Sequence, residues 1–118
     1  MPHDRRLFGD AGERAAEHEL VRRGMRVLAR NARTRYGEID LICHDGRGFV
    51  FVEVKTRRAS SFVSALEAVD GLKLTRLTHL AEAWLALHGS RSANWRLAVL
   101  ALTVSGGRAT AELLDVEG

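Results

Sequence analysis

The sequence predicts an α/β protein in which one mixed sheet is flanked by helices. Three features of the chain support this fold class: an amphipathic segment after Asp10, two strand-like runs on either side of Asp45-Gly46, and a second helical segment that leads into a strongly apolar run. The predicted order is α-β-β-β-α-β-β, which is typical of a layered α/β architecture. At 118 residues the chain has the length of one domain, and we expect residues 1–118 to form it.

The first helix is predicted over residues 11–23. Asp10 and Glu13 have the spacing of a capping box, in which the first side chain accepts from first-turn amides and the second reaches back to the helix start. Gly24 supplies the left-handed conformation that commonly follows a helix end. Asp10 is therefore expected to mark the beginning of the helix.

Three strands are expected after this helix. Residues 25–30 alternate imperfectly between apolar and polar side chains, which suits a half-exposed strand. Residues 39–43 and 48–55 are rich in β-branched and apolar side chains and flank Asp45-Gly46, a pair typical of a tight hairpin. These segments predict one strand followed by a hairpin.

The rest of the chain predicts a long helix and two more strands. Residues 61–89 carry leucine, alanine and tryptophan near helical spacing, with an interruption at Asp70-Gly71. Residues 95–104 form a strongly apolar run, and a glycine turn separates this run from a weaker strand at 108–114.

Composition narrows the classes of function. Hydrophobic residues make up 46% of the chain and charged residues 28%, which is ordinary globular usage. No apolar run approaches the roughly 18 residues of a membrane span, so a cytoplasmic protein without a membrane partner is predicted. Cys43 is the only cysteine, which excludes an internal disulfide and argues against a structural zinc site.

Basic residues outnumber acidic ones by 18 to 15, and Lys55 and Lys73 are the only lysines. Because a guanidinium group can bind a phosphate through two N–H groups at once, nucleic acid is a predicted partner, with DNA preferred. A genome-wide preference for arginine codons explains the same composition, so both explanations stay open. A domain of this size has little surface with which to define a DNA structure, and a homodimer is therefore a further expectation.

Charged residues interrupt the second strand of the predicted hairpin. Because side chains alternate between the faces of a strand, Glu53 and Lys55 project on one face. With a two-residue turn, Glu38 faces Glu53. Asp40 then faces Phe51, and parity places all three carboxylates on the same face as Lys55. Opposed carboxylates repel one another unless a cation lies between them.

A divalent cation between these carboxylates predicts a catalytic metal site. Oxygen ligands suit Mg²⁺ or Mn²⁺, and Mg²⁺ commonly leaves positions for water and substrate phosphate. In this interpretation Asp40 and Glu53 hold the ion, with Glu38 as a supporting acid. Lys55 orients or helps to deprotonate the attacking water. The alternative is an exposed Glu53–Lys55 pair at a sheet edge, with Asp40 as a strand-end carboxylate.

Two segments are specific in combination, GEIDLI at residues 37–42 and FVEVKTR at residues 51–57. Together with Gly12-Glu13, Asn31 and the later Lys73, they make the chain resemble the uncharacterised bacterial YraN-like family. That family in turn resembles the PD-(D/E)XK restriction-endonuclease-like nucleases and is compared with archaeal Holliday-junction resolvases. The resemblance implies a restriction-endonuclease-like αβββαβ core, here with an extra C-terminal strand.

The resemblance also implies residue roles. Asp40 takes the aspartate of the motif, Glu53 its second carboxylate and Lys55 its lysine. Glu13 matches an additional acidic residue that completes the metal site in many of these nucleases, with the capping role as the alternative. The implied activity is Mg²⁺- or Mn²⁺-dependent endonucleolytic hydrolysis of DNA, with structure-specific cleavage as an option. The alternative function is a non-catalytic nucleic-acid-binding module or a partner subunit in DNA repair or processing.

Basic side chains are expected to contact phosphates around this site, with a solvated surface as the alternative. The candidates are Arg33, Arg35, Arg57, Arg58, Lys73 and Arg76. One position departs from the family pattern: the usual Arg-Phe-Asp-Val after the long helix is here Arg-Leu-Ala-Val, with Ala98 in place of the aspartate. The departure removes none of the proposed metal ligands.

Overall fold

The computed structural model describes residues 2–58 and 74–116. Within them the helices and strands are α1 (Pro2–Arg22), β1 (Arg26–Thr34), β2 (Gly37–His44), β3 (Phe49–Arg58), α2 (Leu74–Leu87), β4 (Trp95–Ser105) and β5 (Arg108–Val116). This order confirms the predicted αβββαβ core and the extra C-terminal strand. Neither of these helices is both long and apolar enough to cross a membrane.

The five strands form one sheet in the order β1-β2-β3-β4-β5. Strands β3 and β4 are parallel, whereas every other neighbouring pair is antiparallel. A parallel pair needs a crossover connection, and α2 lies in the one between β3 and β4. The sheet is therefore mixed, as predicted.

Among the described residues, one helix covers each face of the sheet. Helix α1 covers the first face through an apolar cluster that includes Ala16, Leu20, Val50, Val52 and Leu100. Helix α2 covers the second face through a cluster that includes Ile42, Phe51, Leu77, Leu80 and Val99. Removing these side chains from water is the main favourable contribution to folding.

Helix α1 begins earlier than the capping box predicted. It starts at Pro2, so Asp10 lies inside the helix and the expectation that Asp10 marks its beginning is wrong. Proline is tolerated at a first helical position because its missing N–H would have no partner there, and several residues that follow are good helix formers. The end is as predicted: Gly24 has a φ of 90°, and the Met25 N–H donates to the Leu20 carbonyl at 3.0 Å.

Other boundaries also differ from the sequence expectation. Strand β1 continues to Thr34, four residues beyond the predicted end, because it pairs with β2 along this length. Helix α2 ends at Leu87, close to the predicted end at Gly89. The predicted start of this helix, in residues 61–73, lies outside the described residues.

The loop of the β2–β3 hairpin has four residues rather than two. His44 pairs with Phe49, which leaves residues 45–48 in the loop. The Oδ1 of Asp45 accepts hydrogen bonds from two backbone N–H groups of this loop, at 2.8 and 3.0 Å. An aspartate side chain that accepts hydrogen bonds from the following backbone N–H groups stabilises an Asx-type turn. The hairpin loop is therefore two residues longer than a two-residue turn.

The longer loop shifts the register of the hairpin by two residues. Ile42 faces Phe51, so the expectation that Asp40 would do so is wrong. Continued along the strands, the same register brings Asp40, rather than Glu38, to the level of Glu53. Because the shift is an even number of residues, Asp40 keeps its predicted parity with Glu53. The alternation along β2 is nevertheless interrupted, since Ile39 and Ile42, three residues apart, both belong to the cluster under α2.

Candidate active site at a fork in the sheet

The candidate site lies where the sheet divides into two arms. The β2–β3 ladder ends at the pair Leu41 and Val52, whereas the β1–β2 and β3–β4 ladders continue to the ends of their strands. Among the described strands, residues 37–40 therefore pair only with β1, and residues 53–58 pair only with β4. We call the gap between these two segments the fork.

Asp40 lies at the inner end of the fork. Its Oδ2 accepts a hydrogen bond from the backbone N–H of Val54 at 2.7 Å. A side-chain oxygen thus satisfies a backbone donor that lies beyond the last residue pair of the β2–β3 ladder. This bond fixes the Asp40 carboxylate against β3, immediately beside Glu53.

Asn31 lies next to Asp40 on β1, and its backbone breaks the strand pattern. Its φ of 50° is left-handed, a conformation that asparagine tolerates better than most residues. Ala29 and Ala32, three residues apart, consequently both pack against the cluster under α2. Strand β1 is thus locally distorted next to the site. The sequence signal for this distortion was a single asparagine in a strand-like segment.

Glu53 and Asp40 form a half-buried carboxyl pair. Burial and, to a lesser extent, the nearby Asp40 carboxylate raise the pKa of Glu53 to about 7, against the opposing charges of Lys55 and Arg76. Burial also raises the pKa of Asp40, although the Val54 N–H and a hydrogen bond with Glu53 favour its ionised form. Ionising both groups together is therefore costly, and a divalent cation is the kind of ligand that would offset this cost.

Lys55 extends this pair towards solvent. It lies two residues beyond Glu53 on β3, so the strand alternation puts both side chains on the α2 face. Its side chain is exposed, and its positive charge favours the ionised form of both carboxyl groups by lowering their pKa. The structure therefore brings together the three residues that the sequence predicted to be catalytic.

Arg76 reaches this site from α2. Its Nη1 donates to the backbone carbonyl of Tyr36 at 3.3 Å, and its charge acts to lower the pKa of Glu53. The guanidinium crosses Gly37, where a Cβ atom would collide with Nη1. Gly37 also has a φ of 121°, which favours glycine. No local sequence pattern indicates this use of Gly37 and Tyr36, because only the packing of α2 creates it.

Replacing Gly37 with Ala is expected to lower stability and displace Arg76. The matched control is Gly46→Ala, since Gly46 also has a positive φ, of 93°, but an added Cβ there would meet nothing within 4 Å. Backbone strain should cost about 1–3 kcal/mol at either site, and only Gly37→Ala should lose more. Urea unfolding in wild-type and Arg76→Ala backgrounds measures the difference. Equal losses for the two glycines in both backgrounds would contradict the contact.

Glu13 does not join the carboxyl pair. It lies on α1, which covers the face opposite α2, and its neighbour Gly12 packs against Thr56 and Leu102 there. Within residues 2–58 and 74–116, no three Asp, Glu, His or Cys side chains form a group that could hold a metal ion. A third carboxylate from Glu13 stays a prediction, and Asp40 and Glu53 are the two candidate ligands that lie together here.

Glu38 and the predicted basic residues flank the fork. The Glu38 carboxylate is engaged by Arg33 at 2.8 Å, and its negative charge acts to raise the pKa of Asp40. Arg35 follows at the turn of this arm, with its guanidinium 4.9 Å from the centre of the Tyr36 ring.

Arg57 and Arg58 end β3 on the opposite arm of the fork. The Arg57 Nε donates to the Thr103 hydroxyl at 3.1 Å, and Arg58 is exposed. Since β2 and β3 are antiparallel, all four arginines of the two arms lie towards the same end of the sheet. Lys73 lies outside the described residues.

Comparison with known proteins identifies the family of this chain. The model described as "Uncharacterised protein family UPF0102" matches residues 12–102, a range that contains every candidate site residue named above. The chain belongs to UPF0102. This membership confirms the resemblance to YraN-like proteins.

Relatives in UPF0102 match over most of their lengths. A protein from Chloroflexus aurantiacus is 44% identical over 109 residues, which are 92% of this chain and 88% of that one. A protein from Kineococcus radiotolerans is 50% identical over 97 residues, covering 81% and 80% of the two chains. Among solved structures, "The structure of Pyrococcus Furiosus SfsA in complex with Ca2+" aligns with a TM-score of 0.43 and 19% identity, over 94% of this chain and 63% of that one.

Ala98 of this UPF0102 chain is part of the core. It is 2% exposed, pairs with Val52 on one side and Asp115 on the other, and belongs to the apolar cluster under α1. The neighbouring Arg96 binds Asp45 at 2.6 Å and Asp115 at 3.1 Å, and so ties the hairpin loop and β5 to β4. The absent aspartate therefore leaves a packed apolar position on the α1 face, opposite the face of Glu53 and Lys55.

Proposed function

We propose that this protein is a metal-dependent nuclease that hydrolyses phosphodiester bonds of DNA at the fork. The observation that carries the proposal is the pairing of Asp40 and Glu53, two half-buried carboxyl groups with raised pKa values beside an exposed lysine. Such a pair is unfavourable for folding alone, because each ionised group is desolvated and repelled by the other. A function that uses both charges explains why the two groups lie together.

Asp40 and Glu53 are the residues that would hold Mg²⁺ or Mn²⁺. Both offer carboxylate oxygens, which these ions prefer, and two protein carboxylates suffice where water and phosphate complete the coordination. When bound, the ion supplies a Lewis acid that polarises the phosphate. The Val54 N–H holds Asp40 in one orientation, so this ligand is organised in advance.

Lys55 would act at the exposed side of the carboxyl pair. Hydrolysis forms one bond, from a water oxygen to phosphorus, and breaks the bond from phosphorus to the leaving sugar oxygen. The attacking water loses a proton and the leaving oxygen gains one. An ammonium group at this position orients the water and offsets the negative charge that builds on the phosphate.

DNA is supported as the substrate by the charges around the fork. Arg33 and Arg35 lie on one arm, and Arg57 and Arg58 end the other, so a phosphate backbone crossing the fork would meet cations on both sides. Non-catalytic nucleic-acid binding is the second candidate function. It is favoured by one observation, that the described residues contain no third side chain in the metal-ligating group.

The test combines calorimetric titration with Mn²⁺ and cleavage of labelled duplex, flapped and four-way DNA. Asp40→Asn keeps an oxygen acceptor for the Val54 N–H and removes the charge, so it should weaken Mn²⁺ binding and slow cleavage by about a hundredfold or more. Glu38→Gln is the control, because Glu38 is exposed and engaged by Arg33. Equal Mn²⁺ affinities for wild type and Asp40→Asn, or DNA binding without cleavage by wild type, would overturn the proposed reaction.

The proposal predicts that Mn²⁺ affinity rises with pH. Glu53 must lose its proton to bind a cation, and its pKa in the metal-free protein is about 7. The apparent affinity should therefore fall by up to about tenfold for each pH unit below that value and become constant above it. Calorimetry between pH 5.5 and pH 8 measures this dependence. A constant affinity over the range would contradict the role of Glu53.

A further inference from the structure

A second depression lies beside α2, on the other side of the β1–β2 turn from the carboxyl pair. It has a volume of about 380 Å³, and its chemically distinctive lining residues are Arg35, Tyr36, His79, Glu82, Arg91 and Trp95. None of Asp40, Glu53 and Lys55 lines it. We call this depression the α2 groove.

Planar side chains form one end of the α2 groove. The Arg35 guanidinium lies over the Tyr36 ring, 4.9 Å from its centre, and donates to the tyrosine hydroxyl at 2.8 Å. The Tyr36 ring in turn lies 5.3 Å from the ring of His79. Arg35 and His79 are both exposed, so planar groups held in place by Tyr36 face solvent. Guanidinium and imidazole planes are surfaces on which unpaired bases stack.

The charges of the α2 groove suit a polyanion. Arg35 and Arg91 line it, and neither forms an ion pair with a carboxylate in the described residues. Of the lining residues that the structure describes, Glu82 is the one acidic side chain. The two arginines exceed this single negative charge, and their guanidinium groups are free to bind phosphate oxygens.

The position of the groove connects it with the fork. Arg35 and Tyr36 form the turn between β1 and β2 and line the groove, and the Tyr36 carbonyl accepts from Arg76, whose charge acts on Glu53, so this turn borders both the groove and the fork. From His79 to Ala86, the helix side of the groove is about 10 Å long, at 1.5 Å per residue. A length of this order accommodates about two or three nucleotides. A strand that leaves the fork over the turn would therefore enter the groove directly.

We propose that the α2 groove binds a short single-stranded segment of nucleic acid that continues from the fork. The proposal rests on the proposed function for its choice of nucleic acid over an acidic peptide. A single strand is preferred to a duplex, since the bases of a duplex are already stacked on one another and cannot stack on Arg35 or His79. The substrate class is thus DNA in which a duplex meets an unpaired strand.

The experiment measures binding by fluorescence anisotropy in EDTA, where no cleavage occurs. The probes are a labelled oligothymidylate of about 12 nucleotides and a blunt duplex of equal length. Arg91→Ala should weaken oligothymidylate binding about five- to tenfold and leave duplex binding within about twofold, whereas Glu82→Gln should tighten the former. Arg108→Ala is the matched control, because Arg108 is an exposed arginine of β5 outside the groove lining.

Equal effects of Arg91→Ala and Arg108→Ala on both probes would contradict the binding of a single strand in the α2 groove, since they would indicate only general attraction to a basic protein. Competition by polyglutamate as effective as that by unlabelled oligothymidylate would also overturn it and indicate a peptide site. Trp95 provides a second signal: it lines the groove, and its fluorescence should be quenched by oligothymidylate in wild type but not in Trp95→Phe.

The same measurements separate this inference from the proposed function. A selective Arg91→Ala effect without Mn²⁺ binding or cleavage would retain the groove and reject the nuclease. Mn²⁺-dependent cleavage without a selective Arg91→Ala effect would retain the nuclease and reject the groove.

Discussion

Replacing Glu53 with Gln is expected to abolish Mn²⁺ binding and DNA cleavage while making the metal-free protein more stable at about pH 8. The substitution removes one charge from a half-buried carboxyl pair and supplies an amide that can donate to Asp40. Loss of one of two proposed ligands should reduce cleavage by about a thousandfold or more. Relief of burial and repulsion should stabilise the fold by on the order of 1 kcal/mol, because solvent reduces the full effect of the pKa shift at a partly exposed group.

The stability gain of Glu53→Gln should depend on pH with a definite sign. The pKa of Glu53 is raised from 4.5 to about 7 by folding, so the folded protein binds this proton more tightly than the unfolded chain. The stability contributed by the protonated carboxyl is complete below pH 4.5 and is lost as pH rises through about 7. Wild type should thus lose stability relative to Glu53→Gln over this window, and the two should converge in acid.

Urea unfolding of the metal-free proteins at several pH values measures this difference. The exposed Glu38→Gln serves as the control and should show no comparable gain at high pH. Glu53→Gln that is less stable than wild type at pH 8, or equally stable at every pH, would show that the pair is not strained. Unchanged Mn²⁺ affinity would separately reject Glu53 as a ligand.

Replacing Lys55 with Ala is expected to reduce cleavage by about 10²- to 10⁴-fold, the range that a positioned proton-transfer group contributes. Mn²⁺ should bind at least as tightly as to wild type, because a positive charge beside Asp40 and Glu53 is removed. Stability should change little, since Lys55 is exposed. Single-turnover cleavage at saturating Mn²⁺ and DNA measures the chemical step apart from binding.

Two further variants separate charge from proton transfer at Lys55. Lys55→Arg keeps the positive charge, but a guanidinium does not give up its proton in proteins, so DNA affinity should be retained without full cleavage. Arg58→Ala removes another exposed cation of β3 and should weaken DNA binding without lowering the maximal rate. Full cleavage by Lys55→Arg would show that only the positive charge of Lys55 contributes to the reaction. Full cleavage by Lys55→Ala would show that Lys55 has no part in catalysis.

Part of the site was predictable because strand alternation is local. Glu53 and Lys55 are two residues apart on one strand, so they share a face in any register. Whether Asp40 shares a face with Glu53 depends on the pairing register of two strands, and specifically on whether that register is shifted by an odd or an even number of residues. The hairpin around Asp45 predicted the correct parity, even though its loop is two residues longer than expected. The error in loop length changed which residue lies opposite Asp40, but not the side from which it approaches.

Other expectations failed because they depended on contacts between distant segments. A capping box at Asp10 has the same local sequence whether or not the preceding residues are helical, and here they are. The number of residues between Glu13 and Glu53 does not indicate which face of the sheet α1 covers. Only the assembled sheet, with α1 and α2 on opposite faces, decides which face the helix that carries Glu13 covers.

The sequence by itself determined the order of helices and strands, the family, and the shared face of Glu53 and Lys55, because each depends on neighbouring residues or short periods. Tertiary structure alone decided where the β2–β3 ladder ends and thus where the fork lies. The packing of α2 against the sheet also places the Arg76 guanidinium over Gly37, beside the carboxyl pair. These features arise from how separate elements pack, and burial then raises the pKa values of Asp40 and Glu53 to a degree that no local pattern encodes.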